Sequence, residues 1–448
     1  MKSKDVLGLL KNFESRNITF IDPDGTWPIV WDRARGVHVW DNEGRKYLDL
    51  TAAFGVAACG HANRRVVRAG QAQMDRLLHA MGDVHPHALK AALARELSRL
   101  TFERWSPKTR TRSSGGTKAS GKTIFCNSGF EAVEAALKTA CLATGKRGVI
   151  AFEGAYHGLG YGALNATHRS YFSAPFKAQL GRFGSFVPFP AAEDGESGLA
   201  VCEERMWAVF KRKAIGAVLV EPVQVRGGVN IPPPDFLQLL RRVADEHDAL
   251  LILDEIYTGF GRTGKWFACE HSGVAPDIVC LGKALTGGFP LSACVGRAEI
   301  MDAAWPPSTG EAIHTSTFLG HPVGCAMALA ELEEIRSQKL VEHSAAGGEL
   351  LLGGLRRIAL GRTGITARGI GLLAGVELKD DHGRPASMQA MDVVKAMLRK
   401  GFIVLPEGEY GSVVSFSPPL TITGAQLQAS IRALDDALSE VGGWTRKS

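Results

Sequence analysis

The sequence predicts an α/β protein. It has a large domain on a mostly parallel sheet covered on both faces, and a smaller α+β domain made from both chain ends. Three observations predict this. Short, continuously apolar runs recur through the middle of the chain, roughly 25–35 residues apart, the period of strand–helix–strand units. Helix-length amphipathic segments lie between them. The flanks read differently, with a hairpin signal at one end and mixed short strands and helices at the other.

From the N-terminus, Gly36-Val37-His38-Val39-Trp40 and Lys46-Tyr47-Leu48-Asp49-Leu50 alternate in polarity. Asp41-Asn42-Glu43-Gly44 joins them, and together they read as a hairpin. The apolar runs are Thr-Ile-Phe-Cys (123–126), Gly-Val-Ile-Ala-Phe (148–152), Ala-Val-Leu-Val (217–220), Leu-Leu-Ile-Leu (250–253) and Ile-Val-Cys-Leu (278–281). A strand buried on both faces has no water-facing side and loses its polar alternation. Glu131–Thr144 and Asp235–His247 are the clearest helices between them. After residue 321 the pattern is helix, then short strands around 371–378, 402–405 and 413–417, then a closing helix. Residues 61–320 are assigned to the large domain; residues 1–60 and 321–448 form the two parts of the small one. No internal repeat is visible.

The composition excludes several classes. With 45% hydrophobic residues, 22% charged residues and a net charge of +6, the 448-residue chain is neither disordered nor strongly basic. No apolar stretch reaches the roughly 18 residues of a membrane span, and the apolar run after Met1 is too short for a cleavable signal. The expectation is a cytoplasmic protein. The dense basic stretch, residues 108–122, has no aromatic residue and reads as a solvated loop rather than a nucleic-acid surface. The eight cysteines contain no Cys-x-x-Cys pair and sit mostly in apolar runs, which favours reduced, buried thiols over disulfides or zinc.

Residues 116–123, Gly-Thr-Lys-Ala-Ser-Gly-Lys-Thr, match the phosphate-loop pattern of nucleotide hydrolases. That motif works only between a buried strand and a helix start. Here a basic coil precedes it and a strand follows, so the match is accidental.

The unusual residues cluster where the apolar runs end, the usual place for chemistry in a parallel sheet. Asn127-Ser128-Gly129-Phe130 is a tight turn leading into a helix, where free amides and a hydroxyl can bind a phosphate. Tyr156-His157-Gly158 offers an aromatic ring for stacking. Asp254 ends a buried strand, where a carboxylate needs a cationic partner such as a protonated pyridine nitrogen. Lys283 follows another strand, where a desolvated amine with a lowered pKa suits Schiff-base chemistry. Each feature alone has a bland reading: a capped helix, a loop aromatic, a paired acid, a surface lysine. Together they describe a pyridoxal 5′-phosphate site.

From about residue 20 to the C-terminus the chain resembles the class III (omega-amino-acid) aminotransferases, which are fold type I pyridoxal-phosphate enzymes. The likeness runs through Gly60-His61, Ser128 to Ala132, Tyr156-His157-Gly158 and Glu221-Pro222-Val223-Gln224. It continues through Leu253 to Gly264, Gly282-Lys283-Ala284-Leu285, Thr315 to Phe318, and Pro418-Pro419-Leu420. The resemblance implies a seven-stranded sheet and a role for each matching residue. Lys283 attaches the cofactor and later carries the proton. Asp254 pairs with the ring nitrogen. Ser128, Gly129 and Phe130 hold the phosphate, Tyr156 and Ile256 cover the two ring faces, and Glu221 lies at the cofactor. Tyr257 or Gln224 bonds the ring hydroxyl. Thr317 reaches the phosphate in a neighbouring subunit, so the active unit is at least a homodimer. An amine donor gives up its amino group, which a keto acid, pyruvate or 2-oxoglutarate, collects.

Three departures from the family pattern concern the substrate. Leu159 stands where many 2-oxoglutarate-using relatives have an arginine after Tyr-His-Gly. Ser415 replaces the arginine before Pro-Pro-Leu that binds the α-carboxylate, and Arg226 replaces the glutamate that pairs with that arginine. The last two changes suggest a relocated cation, with Arg226 binding the keto-acid carboxylate. The alternative is a solvent-facing or subunit-interface arginine. The donor expected is an apolar amine or a long omega-amino acid, with Phe54 and Trp27 as aromatic candidates for the pocket wall. Other readings of the whole are an aminomutase, racemase or decarboxylase of the same fold, and a cofactor-binding protein without turnover.

Overall fold

In a computed structural model that describes residues 1–106 and 119–444, the chain forms three sheets. The central one has seven strands, in the spatial order Gly121–Cys126, Ser292–Arg297, Ile278–Leu281, Leu250–Asp254, Ile215–Val220, Gly148–Phe152 and Gly184–Val187. From Ile278–Leu281 to Gly184–Val187 all neighbours are parallel. Ser292–Arg297 runs antiparallel to both of its neighbours. All five expected strands are present. The two not anticipated are Ser292–Arg297 and Gly184–Val187, an edge strand whose burial alternates and whose sequence carries little apolar signal.

Side chains alternate across the sheet, as strand geometry requires. Ala217 and Leu219 belong to one apolar cluster, Val218 and Val220 to the other. The helix Gly129–Thr144 packs on the first face through Ala132, Val133, Ala135, Ala136 and Ala140, small residues that let it approach closely. It ends at Gly145, whose φ of +66° is left-handed and favours glycine. Helix Phe236–Glu246 covers the other face with Phe236, Leu240 and Val243.

Both chain ends meet outside this sheet. Trp31–Arg35, His38–Asp41 and Lys46–Asp49 form an antiparallel meander, and Phe402–Ile403 adds to its last strand in parallel. The third sheet contains Ile365–Gly369, Ala374–Leu378, Val413–Phe416 and Leu405–Glu407. The run 402–405, read as one strand, splits at Val404 and serves two sheets; its second part reaches Glu407. The closing helix is Gly424–Val441.

Gly121-Lys122-Thr123 of the accidental phosphate-loop match lies within the first strand of the central sheet, where Lys122 pairs with Asp302. Residues 116–118, and most of the basic stretch 108–122, lie outside the described residues. All eight cysteines are described and free; seven are buried and Cys141 is exposed. Among the described residues no helix is long and apolar enough to cross a membrane, and no cluster of His, Cys, Asp or Glu could hold a metal ion.

Candidate active site

The carboxyl ends of the central strands converge on a cavity of about 490 Å³. The turn before helix Gly129–Thr144 forms one corner. Glu131 Oε2 accepts the N–H groups of Asn127 at 2.6 Å and Ser128 at 3.0 Å. Ser292 Oγ donates to Ser128 O at 2.6 Å, tying the turn to the neighbouring strand. The first-turn amides of a helix have no intrahelical acceptor, and Gly129 and Phe130 of that turn line the cavity. The Ser128 hydroxyl is buried without a partner among the described residues. An orphaned hydroxyl beside open helix-start amides fits an anion such as a phosphate ester. A Cβ on Gly129 would stand 3.1 Å from Ile256 Cδ1, so glycine lets Ile256 pack against the turn.

Asp254, at the end of its strand, is 6% exposed. Its Oδ1 accepts from the Ile256 amide at 3.1 Å, and its Oδ2 meets His157 Nδ1 at 2.8 Å. His157 is a functional residue that the sequence reading passed over. Within Tyr156-His157-Gly158 only the tyrosine carries a local signal, an aromatic ring at a strand end. Its imidazole fixes the orientation of the acid, the role that a residue behind a functional group commonly has.

Lys283 follows the strand Ile278–Leu281 and has a left-handed φ of +42°, an uncommon conformation for a residue with a Cβ. Its Nζ sits 4.5 Å from the centre of the Tyr257 ring. Burial lowers the amine pKa below its ordinary value, against the pull of Asp254 and Glu221. Glu221 accepts the Tyr156 amide at 2.8 Å, and burial raises its pKa to about 7. The Tyr156 ring lines the cavity, and burial raises the pKa of its phenol.

Arg226 lines the same cavity, its guanidinium carbon 5.4 Å from the centre of the Tyr156 ring. Its Nη1 is 3.4 Å from both carboxylate oxygens of Glu407, whose side chain is 3% exposed. Burial raises the Glu407 pKa, while Arg226 draws it back down. The sequence reading missed Glu407: it follows Pro406 in a three-residue strand with no motif around it.

The cavity lining thus includes Phe130, Tyr156, Leu159, Glu221, Arg226, Asp254, Ile256, Tyr257 and Lys283 of the predicted residues. Gly129 lines it too, and Ser128 immediately precedes Gly129 in the chain. Gln224, Ser415, Thr317, Phe54 and Trp27 are not among the lining residues. Gln224 donates to Glu153 O at 2.8 Å and accepts from Asn230 at 3.1 Å. Tyr257 meets Ser417 Oγ at 2.9 Å, so its hydroxyl already has a partner. Ser415 is buried and donates to Leu405 O at 3.1 Å. Thr317 is exposed. Phe54 is 51% exposed on a left-handed turn, and the next residue, Gly55, abuts Tyr257. Trp27 packs against the meander's core of Val39 and Tyr47.

These residues could hold a group with an anionic end at Ser128, a flat ring between Tyr156 and Ile256, a basic ring nitrogen at Asp254 and a carbonyl within reach of Lys283. The chain is also similar to known proteins. The family described as "Aminotransferase class-III" matches residues 21–438. The chain is 37% identical to a 5-aminovalerate aminotransferase of Pseudomonas aeruginosa over 426 residues, covering 92% of this chain and 94% of the relative. It is 36% identical to an acetylornithine aminotransferase of Methanosarcina mazei over 441 residues, covering 95% and 98%. Among solved structures, an amine transaminase from an uncultivated Pseudomonas species, in its pyridoxal-phosphate-bound form, superposes with a TM-score of 0.86. It has 29% identity and covers 96% of this chain and 99% of that one. The chain belongs to the class III aminotransferases, pyridoxal-phosphate-dependent transferases of fold type I.

Proposed function

We propose that this aminotransferase takes its amino group from an omega-amino acid or an apolar primary amine, and that Arg226 receives the carboxylate of the keto-acid acceptor, pyruvate or 2-oxoglutarate. One observation carries the reading. Arg226 lines the cavity together with Lys283, and buried Glu407 holds it there. Leu159 and Ser415 leave the other two carboxylate positions of the family without a cation, and the Ser415 hydroxyl already bonds Leu405 O. The relative named for 5-aminovalerate supports an omega-amino donor, a molecule with an amine and a carboxylate at opposite ends.

Bound pyridoxal phosphate supplies an electron-withdrawing ring that stabilises negative charge at the carbon losing its proton. The chain's own groups do the rest. Ser128 and the amides of Gly129 and Phe130 bind the phosphate, while Tyr156 and Ile256 hold the ring plane. Asp254, steadied by His157, keeps a proton on the ring nitrogen. Lys283, its amine pKa lowered by burial, would hold the carbonyl end of the cofactor, and its Nζ would carry the proton during transfer. Glu221, Tyr257 and Gln224 border this machinery through their contacts with Tyr156, Ser417 and Glu153. Residues 61–320 form the cofactor-binding domain, with 1–60 and 321–448 as the smaller one. The functional unit is a homodimer in the cytoplasm. The exposed Thr317, free to face a second subunit, supports the dimer, and the eight free thiols fit a reducing compartment.

In Arg226→Ala the keto-acid KM rises about tenfold or more as a charge-assisted pair is lost. An unchanged KM overturns the proposal. A panel of amine donors against pyruvate and 2-oxoglutarate, followed by the cofactor's absorbance, identifies the substrates.

A further inference from the structure

Arg226 sits at the tip of a short loop, and a side chain from another sheet holds that loop. Gln224 and Asn230 close its base through two backbone hydrogen bonds, Gln224 N to Asn230 O at 3.1 Å and Asn230 N to Gln224 O at 2.9 Å. Within it, Gly228 has φ +117° and Val229 has φ +55°. A β-branched residue in the left-handed region is strained, and such a conformation persists only where its surroundings impose it.

The imposing group is Arg368, on the strand Ile365–Gly369 of the third sheet. Its Nε lies 3.2 Å from Gly228 O and 3.0 Å from Val229 O. Its Nη2 donates to Gly228 O at 2.7 Å and to Asn230 Oδ1 at 3.4 Å. Its Nη1 meets Glu377 Oε2 at 2.8 Å, which fixes the fork from behind. Asn230 Nδ2 in turn holds Gly227 O at 3.2 Å. On the far side, the amide of Gly408, next to Glu407, donates to Arg226 O at 3.2 Å. A planar guanidinium grips two successive carbonyls in a way that lysine cannot reproduce.

We propose that Arg368 is a positioning residue for the acceptor: it locks the strained loop 224–230 and so sets the direction in which Arg226 enters the cavity. The inference rests on the reading that Arg226 receives the keto-acid carboxylate.

The test uses holoenzyme carrying Arg368→Met, Arg368→Lys, Arg226→Ala, and the Arg226→Ala/Arg368→Met pair. The readouts are the keto-acid KM, kcat, and the single-turnover rate with a carboxylate-free primary amine. Arg368→Met is expected to raise the keto-acid KM about three- to tenfold, with kcat and the amine half-reaction within about twofold. Arg368→Lys recovers part of the affinity, and the double variant is no worse than Arg226→Ala alone, because the two residues act on one carboxylate. An unchanged KM in Arg368→Met beside a raised one in Arg226→Ala overturns the positioning role and leaves the Arg226 reading intact. An unchanged KM in Arg226→Ala overturns that reading, and this inference with it. Additive effects in the double variant, or an equal loss in the amine half-reaction, make Arg368 merely structural and overturn the proposal. Should Arg368→Met fail to fold, Glu377→Gln keeps the carbonyl contacts but frees the fork. The same KM pattern at about two- to threefold is then expected, and its absence overturns the inference.

Discussion

Replacing Arg226 by Met strands a carboxylate in the protein interior. Glu407 is 3% exposed, and Arg226 Nη1 is 3.4 Å from both of its oxygens. At an effective dielectric of about 20, unit charges at that separation attract by roughly 5 kcal/mol, against which stands the desolvation of both ions. Removing one partner of a buried pair costs about 3–5 kcal/mol. Here the arginine side chain is 32% exposed, and water entering from its side reduces the expected loss to about 2–3 kcal/mol. Glu407 can also escape by taking a proton, since burial already raises its pKa and losing Arg226 raises it further. A carboxyl with a raised folded pKa destabilises only above its unfolded value, and increasingly as pH rises through the folded one. Arg226→Met should therefore be close to wild type at pH 5 and should lose the full amount by pH 8. Adding Glu407→Gln, which is neutral at every pH, should restore most of it. Urea unfolding midpoints at fixed excess cofactor are the assay, because bound cofactor itself stabilises the fold. A deficit that is the same at both pH values, or a double variant as weak as the sum of the singles, refutes the ion-pair reasoning.

Two other variants separate local effects. Ser128→Ala removes a buried hydroxyl that has no partner among the described residues. Cofactor binding should weaken about 10- to 100-fold, the equivalent of one charge-assisted hydrogen bond. The stability of the cofactor-free protein should stay within about 0.5 kcal/mol, and equal losses in both refute the phosphate cradle. Glu331 accepts the Cys59 amide at 3.1 Å through Oε1, its Oε2 is buried without a partner among the described residues, and burial raises its pKa from 4.5 to about 7. Its stabilising contribution is complete below pH ~4.5 and is lost as pH rises through 7, a change of about 3 kcal/mol. Glu331→Gln should flatten the stability–pH curve relative to wild type by that amount between pH 5 and 8, and parallel curves refute it.

The fold was legible where burial leaves a one-dimensional trace. Strands covered on both faces have to be apolar throughout, so Ile215–Val220 and Leu250–Asp254 show in the sequence as the unbroken runs 217–220 and 250–253. Gly184–Val187, half exposed at the sheet edge, needs no such run and left none. The second half of 402–407 escaped for a similar reason. Pro406 breaks the pattern, and Val404 is where the chain leaves the partner of its first part, Lys46–Asp49, hundreds of residues away in sequence, for the nearby strand Val413–Phe416.

The same distinction divides the site. Ser128, Asp254 and Lys283 were readable because a phosphate, a ring nitrogen and a carbonyl each demand a particular residue type at a strand end, and local sequence shows where strands end. Glu407 and Arg368 answer instead to other residues of the chain. Glu407 is there because Arg226 needs an anion, and Arg368 because the loop carrying Arg226 needs its carbonyls held. Neither requirement has a spacing: 181 residues separate Arg226 from Glu407, and 140 separate Gly228 from Arg368. Arg226 itself was visible only as a departure from a family pattern, and the departure told of a moved charge without telling what balances it. A partly exposed arginine beside a buried carboxylate is satisfied before substrate arrives, so the acceptor carboxylate must compete with Glu407 for the same guanidinium. The affinity for the keto acid is therefore a difference between two ion pairs.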